Sequence, residues 1–171
     1  MADFCYFEAE SAAAGAWEEN GDGETTTIRS QAGTDTSKWI EVFFLTSATT
    51  IPMESRSGAQ ARSHRTIEPI EFHCRLGDTW PLMQQALARN EEVNGTFHFF
   101  RQQQNGETIA LATIRVERAR LSEVRVVQPN ALSAEDSRLP LTVIGKVMPH
   151  TIEYSSLVGS KVFLDQWDVR A

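Results

Sequence analysis

The sequence has no apolar run that approaches the roughly 20 residues of a membrane-spanning helix, so we expect no bilayer span. Its start, MADFCYFEAESAAAG, has no basic residue and carries acids where a signal peptide would be apolar. Cysteine is also scarce. Cys5 and Cys74 lie far apart in strand-like runs, which favours buried thiols over a disulfide framework. We therefore predict a protein that starts in the cytoplasm and has no cleaved signal peptide.

The common marks of an enzyme are missing as well. There is no glycine-rich phosphate loop, Gly-x-Ser-x-Gly elbow, His-Glu-x-x-His or Cys-x-x-Cys motif. The four histidines do not have metal-ligand spacing. Glu68 and Glu71 would lie on opposite faces of a strand, which makes a poor acid and base pair. The sequence predicts no enzyme, no cofactor and no metal site.

Positive charge is absent from the first 24 residues, which hold seven acids and account for the whole net charge of -7. The rest of the chain is neutral overall, yet the segment from 55 to 65 carries Arg56, Arg62 and Arg65 without a carboxylate. Nucleic-acid binding requires a clustered basic face, often interleaved with stacking aromatics. One short basic loop does not supply it, so we predict no nucleic-acid partner.

Alternating apolar and polar residues dominate what is present. The strand-like runs are FCYFEAE (4–10), WIEVFFLT (39–46), TIEPIEFHCR (66–75), GTFHFFRQQ (95–103), TIALATIRVE (108–117), ARLSEVRVVQ (119–128) and LTVIGKVMPHTIEY (141–154). Asn105-Gly106 separates two of them and is a type I′ hairpin signal, which predicts antiparallel pairing. Three stretches lack periodicity: 11–36, 52–65 and 129–140.

Only DTWPLMQQALARN has helical spacing, with Leu82, Met83, Ala86 and Leu87 on one face. Pro81 is tolerated in the first turn, so we predict a helix near 80–89. The residues alone thus indicate a mainly β, largely antiparallel protein with one helix and long loops. With 171 residues, we expect a single domain spanning 1–171.

The order of these parts resembles the haemolysin-coregulated protein (Hcp) family, the tube subunits of bacterial type VI secretion systems. KWIEVFFLTSATTIP is similar to the family's W-I-E-V strand, and the polar loop MESRSGAQARSH follows it. IEPIEFHCRLGDTWPLMQQALARNEEV is similar to the strand that leads into a helix with Asp, Pro and Leu at its start, carried here by Asp78, Pro81 and Leu82. The end, VMPHTIEYSSLVGSKVFLDQWDVRA, resembles the family's tail, with Trp167 in the matching place.

The sequence departs from the family's pattern in two places. Residues 11–36 are longer and more acidic than a compact turn, and Trp80 replaces a small polar residue before the helix proline. These departures concern local loop geometry and leave the architecture as expected.

The resemblance implies a small antiparallel β-barrel-like domain of two packed sheets, flanked by the helix at about 80–89 and a long extended loop. It also implies homohexameric rings that stack into a hollow tube, with a contractile sheath, a spike protein and secreted effectors as partners. The protein would then be expelled into the medium or a target cell. Two alternatives stay open: a phage or phage-derived tail-tube protein, and a monomeric β-barrel module that binds a small ligand.

Candidate site residues follow from the same resemblance. The loop with Met53, Arg56, Arg62, His64 and Arg65 would be the arm that contacts the next ring, for example its acidic N-terminal region; the alternative is a solvated loop with local contacts. Trp80 and Trp167 are candidates for the subunit interface, although Trp167 could instead dock on its own subunit. Thr46 is a candidate for the lumen.

Overall fold

The structure, a computed structural model, describes residues 3–19, 30–31, 33–51, 65–130, 132–133, 135–136 and 139–166. These hold one helix, α1 (Trp80–Arg89), and mainly β structure. The longer strands are β1 (Asp3–Ser11), β5 (Ile40–Thr46), β8 (Ile70–Arg75), β9 (Val93–Gln102), β10 (Thr108–Val127), β11 (Thr142–Met148), β12 (Thr151–Ser156) and β13 (Lys161–Gln166). The short ones are β2 (Gly15–Ala16), β3 (Ser30–Gln31), β4 (Thr34–Asp35), β6 (Thr49–Thr50) and β7 (Thr66–Ile67).

Six strands close into a ring. The order β11-β8-β5-β1-β9-β10 returns to its start because β10 also pairs with β11, and every pairing is antiparallel. The predicted mainly β, barrel-like class with one helix is confirmed. The two expected sheets are opposite walls of this one continuous hydrogen-bonded sheet, and β5 lies opposite β10, three strands away in either direction.

Strand β10 is long enough to pair with strands of the ring and also with β12, the first strand of the β12–β13 hairpin. Its first half pairs with β9 on one side and β12 on the other, and its second half pairs with β11. Its register shifts between Val116 and Ala119, where Arg118 has a left-handed φ of 50° and donates its backbone N–H to Asn94 Oδ1 (2.9 Å). This bulge marks the change of partner. The β12–β13 hairpin therefore projects from the ring.

The core fills the ring with the inward side chains that the alternation predicted. Phe7 and Phe97 stack at 4.1 Å between ring centroids, and Phe72 packs beside both. Gly95 and Gly145 leave room for these rings, since a Cβ at either position would lie 2.5 Å from a phenyl carbon. The interior is thus aromatic and tightly packed.

Helix α1 has the predicted boundaries and buries Met83 and Ala86 of the predicted stripe. The residues at its start are held from a distance: the Glu19 carboxylate accepts the Asp78 N–H (2.7 Å) and the hydroxyl of Thr79 (2.8 Å), the N-cap residue. A carboxylate is favourable there because the helix N-terminus carries unpaired N–H groups and partial positive charge. Glu19 lies in a stretch where the sequence predicted no structure.

The hairpin between β9 and β10 forms as predicted, but the predicted type I′ turn is wrong. Gly106 has φ +84°, whereas Asn105 does not have the positive φ that type I′ requires at both central residues. Asn105 instead uses its side-chain oxygen to accept the Glu107 N–H (3.0 Å), which stabilises a different turn.

Candidate functional site

The β12–β13 hairpin presents apolar side chains to solvent. Val162, Phe163 and Leu164 are consecutive on β13 and are 67%, 58% and 59% exposed. Because alternate residues of a strand face opposite sides, both faces of this hairpin carry exposed apolar groups. An exposed apolar patch of this kind is typical of an interaction surface. We call these three residues the hairpin surface.

The base of the hairpin is held by polar contacts. Asp165 on β13 is only 4% exposed, and its carboxylate accepts a hydrogen bond and ion pair from Arg65, which directly precedes β7. The hydroxyl of Tyr154 on β12 shares a hydrogen bond of 3.2 Å with the hydroxyl of Ser47, which follows β5. These contacts fix the hairpin to two segments that are distant in sequence.

A second exposed apolar surface lies on β5. The register of β5 against β8 shifts between Val42 and Phe44, so that Phe43 is an extra residue in the ladder. The consecutive rings of Phe43 and Phe44 are consequently both exposed, at 50% and 43%, and both contact the imidazole of His73. Phe43 and Phe44 form what we call the β5 surface.

A charged network borders the β5 surface. His73 Nε2 donates to Glu71 Oε1 (2.9 Å), and Lys146 Nζ lies 3.5 Å from Glu71 Oε2 and 2.8 Å from Glu123 Oε2. The hydrogen bond from His73, followed by the charge of Lys146, lowers the pKa of Glu71; the hydrogen bond from Lys146 lowers that of Glu123. The hydrogen bond to Glu123 raises the pKa of Lys146. These groups have partners within the chain.

The structure describes three of the predicted site residues. Arg65 contacts Asp165 of its own chain, so the end of the predicted stacking loop has a local partner. Thr46 is exposed at the end of β5 and is paired in register with Glu71. Trp80 is the first residue of α1 and is partly buried against the core; within the described residues its indole N–H is buried without a hydrogen-bond partner. Met53, Arg56, Arg62, His64 and Trp167 lie outside the described residues.

The acidic N-terminal region was the suggested partner of the arginine loop. Three of its described acids make contacts within the chain: Asp3 accepts from Arg101 Nε (2.7 Å), Glu8 from His98 (3.1 Å) and Glu18 from Lys38 (2.9 Å). The hydrogen bond from Arg101 lowers the pKa of Asp3. These exposed pairs are individually weak, so they do not prevent the same acids from contacting another copy.

Sequence reasoning missed β13 and the fold of the first loop. KVFLDQ has the β-branched and aromatic content of a strand, but the resemblance assigned it only to the tail. Within 11–36, Gly15 has φ +69° and turns β1 back onto β2, which buries Trp17 in the core. A glycine before an isolated tryptophan was the available signal.

The two cysteines are free thiols, as predicted. Burial raises the pKa of each to about 12, so both are protonated and unreactive at neutral pH. Within the described ranges, no group of three His, Cys, Asp or Glu side chains is placed to hold a metal ion. None of the described helices is long and apolar enough to cross a membrane.

Comparison with known proteins agrees with this architecture. The family model described as "Type VI secretion system effector, Hcp" matches residues 23–153. A crystal structure of an Hcp protein covers 97% of this chain and 98% of its own, at 19% identity and a TM-score of 0.82. No curated protein matches the sequence.

Two further solved structures have the same fold. The secreted protein Hcp3 from Pseudomonas aeruginosa covers 97% of this chain and 99% of its own, at 14% identity and a TM-score of 0.73. A mutant Hcp1 protein from E. coli covers the same shares at 14% identity and a TM-score of 0.75. Fold and family match together define a type VI secretion system tube protein. The chain belongs to the Hcp family.

Proposed function

We propose that this Hcp chain is a structural subunit of the inner tube of a type VI secretion system, with residues 1–171 as one domain. Six copies form a ring, and the rings stack into a hollow tube. The family match over 23–153 carries this proposal, since it spans five of the six ring strands and α1 together. The exposed hairpin and β5 surfaces add support, because a subunit of a closed ring needs uncovered contact surfaces.

The proposed partners are further copies of this chain, the contractile sheath, the spike protein and the effectors carried by the tube. The protein acts by assembly and not by catalysis. It is made in the cytoplasm and is expelled when the sheath contracts. Trp80 and Trp167 are proposed to contribute to subunit contacts and Thr46 to face the lumen.

The oligomeric state tests this function. Light scattering behind a sizing column should give six times the 19.1 kDa chain mass, and negative-stain microscopy should show rings with a central pore. A uniform monomer at high protein concentration would contradict the tube function and would favour a monomeric binding module.

The stacking role of the loop with Met53, Arg56, Arg62, His64 and Arg65 needs its own variants. Replacing Arg56 and Arg62 by Ala should leave rings intact and shorten tubes in electron micrographs. Arg65 is replaced separately, because its contact with Asp165 gives it a structural role within the chain. Tubes of unchanged length in the double variant would contradict the stacking role.

A further inference from the structure

The segment proposed as the stacking arm has a small base that the structure describes. This base consists of β6 and β7, which pair antiparallel through Thr49 with Ile67 and Thr50 with Thr66. The two strands form a sheet of their own, separate from the ring. An isolated two-stranded hairpin is only marginally stable in water. The direction of the base therefore depends on contacts with the rest of the chain.

The β12–β13 hairpin contacts the chain on both sides of this base. Ser47, two residues before β6, shares a hydrogen bond of 3.2 Å with the hydroxyl of Tyr154 on β12. Arg65, directly before β7, donates to the carboxylate of Asp165 on β13. One contact precedes the arm in sequence and the other follows it. The hairpin is thus fixed to both ends of the segment that carries the arm.

The contact between Arg65 and Asp165 lies where the arm meets the barrel. Ile67, two residues after Arg65, is buried in the core, whereas Arg65 is half-exposed. Asp165 is almost fully buried, and so is Ile152, its register partner on β12. A buried carboxylate without a partner costs free energy. The chain therefore strongly favours the arrangement in which the guanidinium of Arg65 reaches Asp165.

We propose that Asp165 is a positioning residue for ring stacking. Through Arg65 it sets the direction in which the arm leaves the barrel, and thereby the fit of the arm to the next ring. This inference rests on the proposed function, because it concerns the proposed stacking arm. A contact segment held in its bound direction binds more tightly, since less conformational entropy is lost on contact. Because Asp165 is buried, it acts through its own chain and not by touching the next ring.

Two substitutions test the positioning role. Arg65→Ala should leave rings in light scattering and shorten the tubes severalfold in electron micrographs. Asp165→Asn should shorten them less, because a neutral amide oxygen is a weaker acceptor than a carboxylate. Arg65→Lys keeps the positive charge and should restore part of the tube length. Arg115→Ala is the matched control, since it removes one arginine and an exposed ion pair with Glu117 outside the base of the arm. It should give tubes of the parent length.

Combining the two substitutions distinguishes positioning from direct contact. If Arg65 acts through Asp165, the double variant should have tubes no shorter than those of Arg65→Ala, because both changes remove the same contact. If Arg65 contacted the next ring by itself, Asp165→Asn alone would leave tube length unchanged. That result, in protein that still forms rings and tubes, would overturn the positioning role and would leave the tube function standing.

The direction of the base can also be measured without tubes. Nitroxide labels at Ile51→Cys, directly after β6, and at Lys161→Cys, the first residue of β13, report the distance between the base and the hairpin. Both positions are exposed. Burial raises the pKa of the native thiols of Cys5 and Cys74 to about 12, so these should stay unlabelled. Labelled copies are diluted with unlabelled copies, so that only distances within one chain are observed.

The parent should give one narrow distance distribution, and Arg65→Ala a broad one. Should a variant lose its rings, the distribution in the monomeric variant still reports the direction of the base. Distributions as narrow in Arg65→Ala and Asp165→Asn as in the parent would overturn the inference, whether or not rings form. Monomers of the unaltered chain would instead contradict the proposed function.

Discussion

The ring of strands and the β12–β13 hairpin place similar apolar residues in opposite environments. In the ring, Phe7 and Phe97 are almost fully buried, and burial of one such side chain contributes about 1.5–3 kcal/mol to folding. On the hairpin, Val162, Phe163 and Leu164 remain mostly exposed, so they add little to folding of the single chain. Composition does not separate the two regions. What separates them is whether the strand has a second wall of the ring opposite it.

The largest expected difference concerns two phenylalanines. Phe97→Ala removes a ring that stacks on Phe7 and should lower the free energy of unfolding by about 3–5 kcal/mol, through lost transfer energy and a cavity. Phe163→Ala on the hairpin should change it by about 0.5 kcal/mol or less. Urea denaturation of monomeric protein measures both values. Similar losses for the two variants would contradict the distinction between ring and hairpin.

Two glycines give the next largest contrast. A Cβ on Gly95 in β9 would lie 2.5 Å from a Phe7 ring carbon and 2.8 Å from the Glu8 carbonyl oxygen, so Gly95→Ala forces backbone to move. We expect a loss of about 2–3 kcal/mol, as for overpacked cores. Gly159→Ala in the hairpin turn meets only Ser156 Oγ at 3.5 Å and should be nearly neutral. Thermal unfolding of both variants checks the contrast, and a stable Gly95→Ala protein would refute it.

A smaller loss of stability is expected at the ion pair that holds the hairpin to the segment before β7. Arg65→Ala leaves the buried Asp165 carboxylate without its described partner and should cost about 1–2 kcal/mol. Hydrogen exchange should accelerate at the β13 amides while the β1 and β9 amides stay protected. Adding Asp165→Asn should recover part of the loss, because a neutral amide is cheaper to bury than a charge. Uniform acceleration across the sheet would contradict a local role.

The smallest expected effect is the pH dependence of stability that arises from His98 on the outer face of the ring. Burial against Trp39, whose ring stacks at 4.3 Å, outweighs the contact with Glu8 and lowers the pKa of His98 below its ordinary 6.5. The unfolded chain then binds the proton more readily, so stability is full above pH 6.5 and declines as pH falls through the folded pKa. Denaturation curves between pH 7.5 and about 5, above the ordinary carboxyl range, measure this decline. His98→Asn should flatten it, and greater stability on acidification would contradict the sign.

Local patterns predicted the parts of this fold that depend on neighbouring residues. Alternation located the ring strands, although it predicted two runs where β10 is one strand and one run where β11 and β12 are two. The Leu82–Leu87 stripe located α1, and both periods follow directly from backbone geometry. The pairing of β10 with β11, which closes the ring, joins two segments whose local sequences do not indicate which strand each will pair with. The hydrogen bond of Glu19 with Thr79 at the start of α1 is likewise a contact across 60 residues. The candidate sites were harder still, since Phe44 is exposed only because of the bulge at Phe43 and β13 only because it lies outside the ring.

Strand β10 pairs both within the ring and with the β12–β13 hairpin, and this has a mechanical consequence. A neighbouring copy that pulls the hairpin along the strand direction loads all six β10–β12 register pairs at once, in shear. A pull across the strands would open them one pair at a time, like a zipper. The same β10 backbone continues into the pairs with β11 that close the ring. A subunit of this design bears axial or tangential load best when the force runs along β10, which joins the projecting hairpin to the barrel wall without a flexible linker.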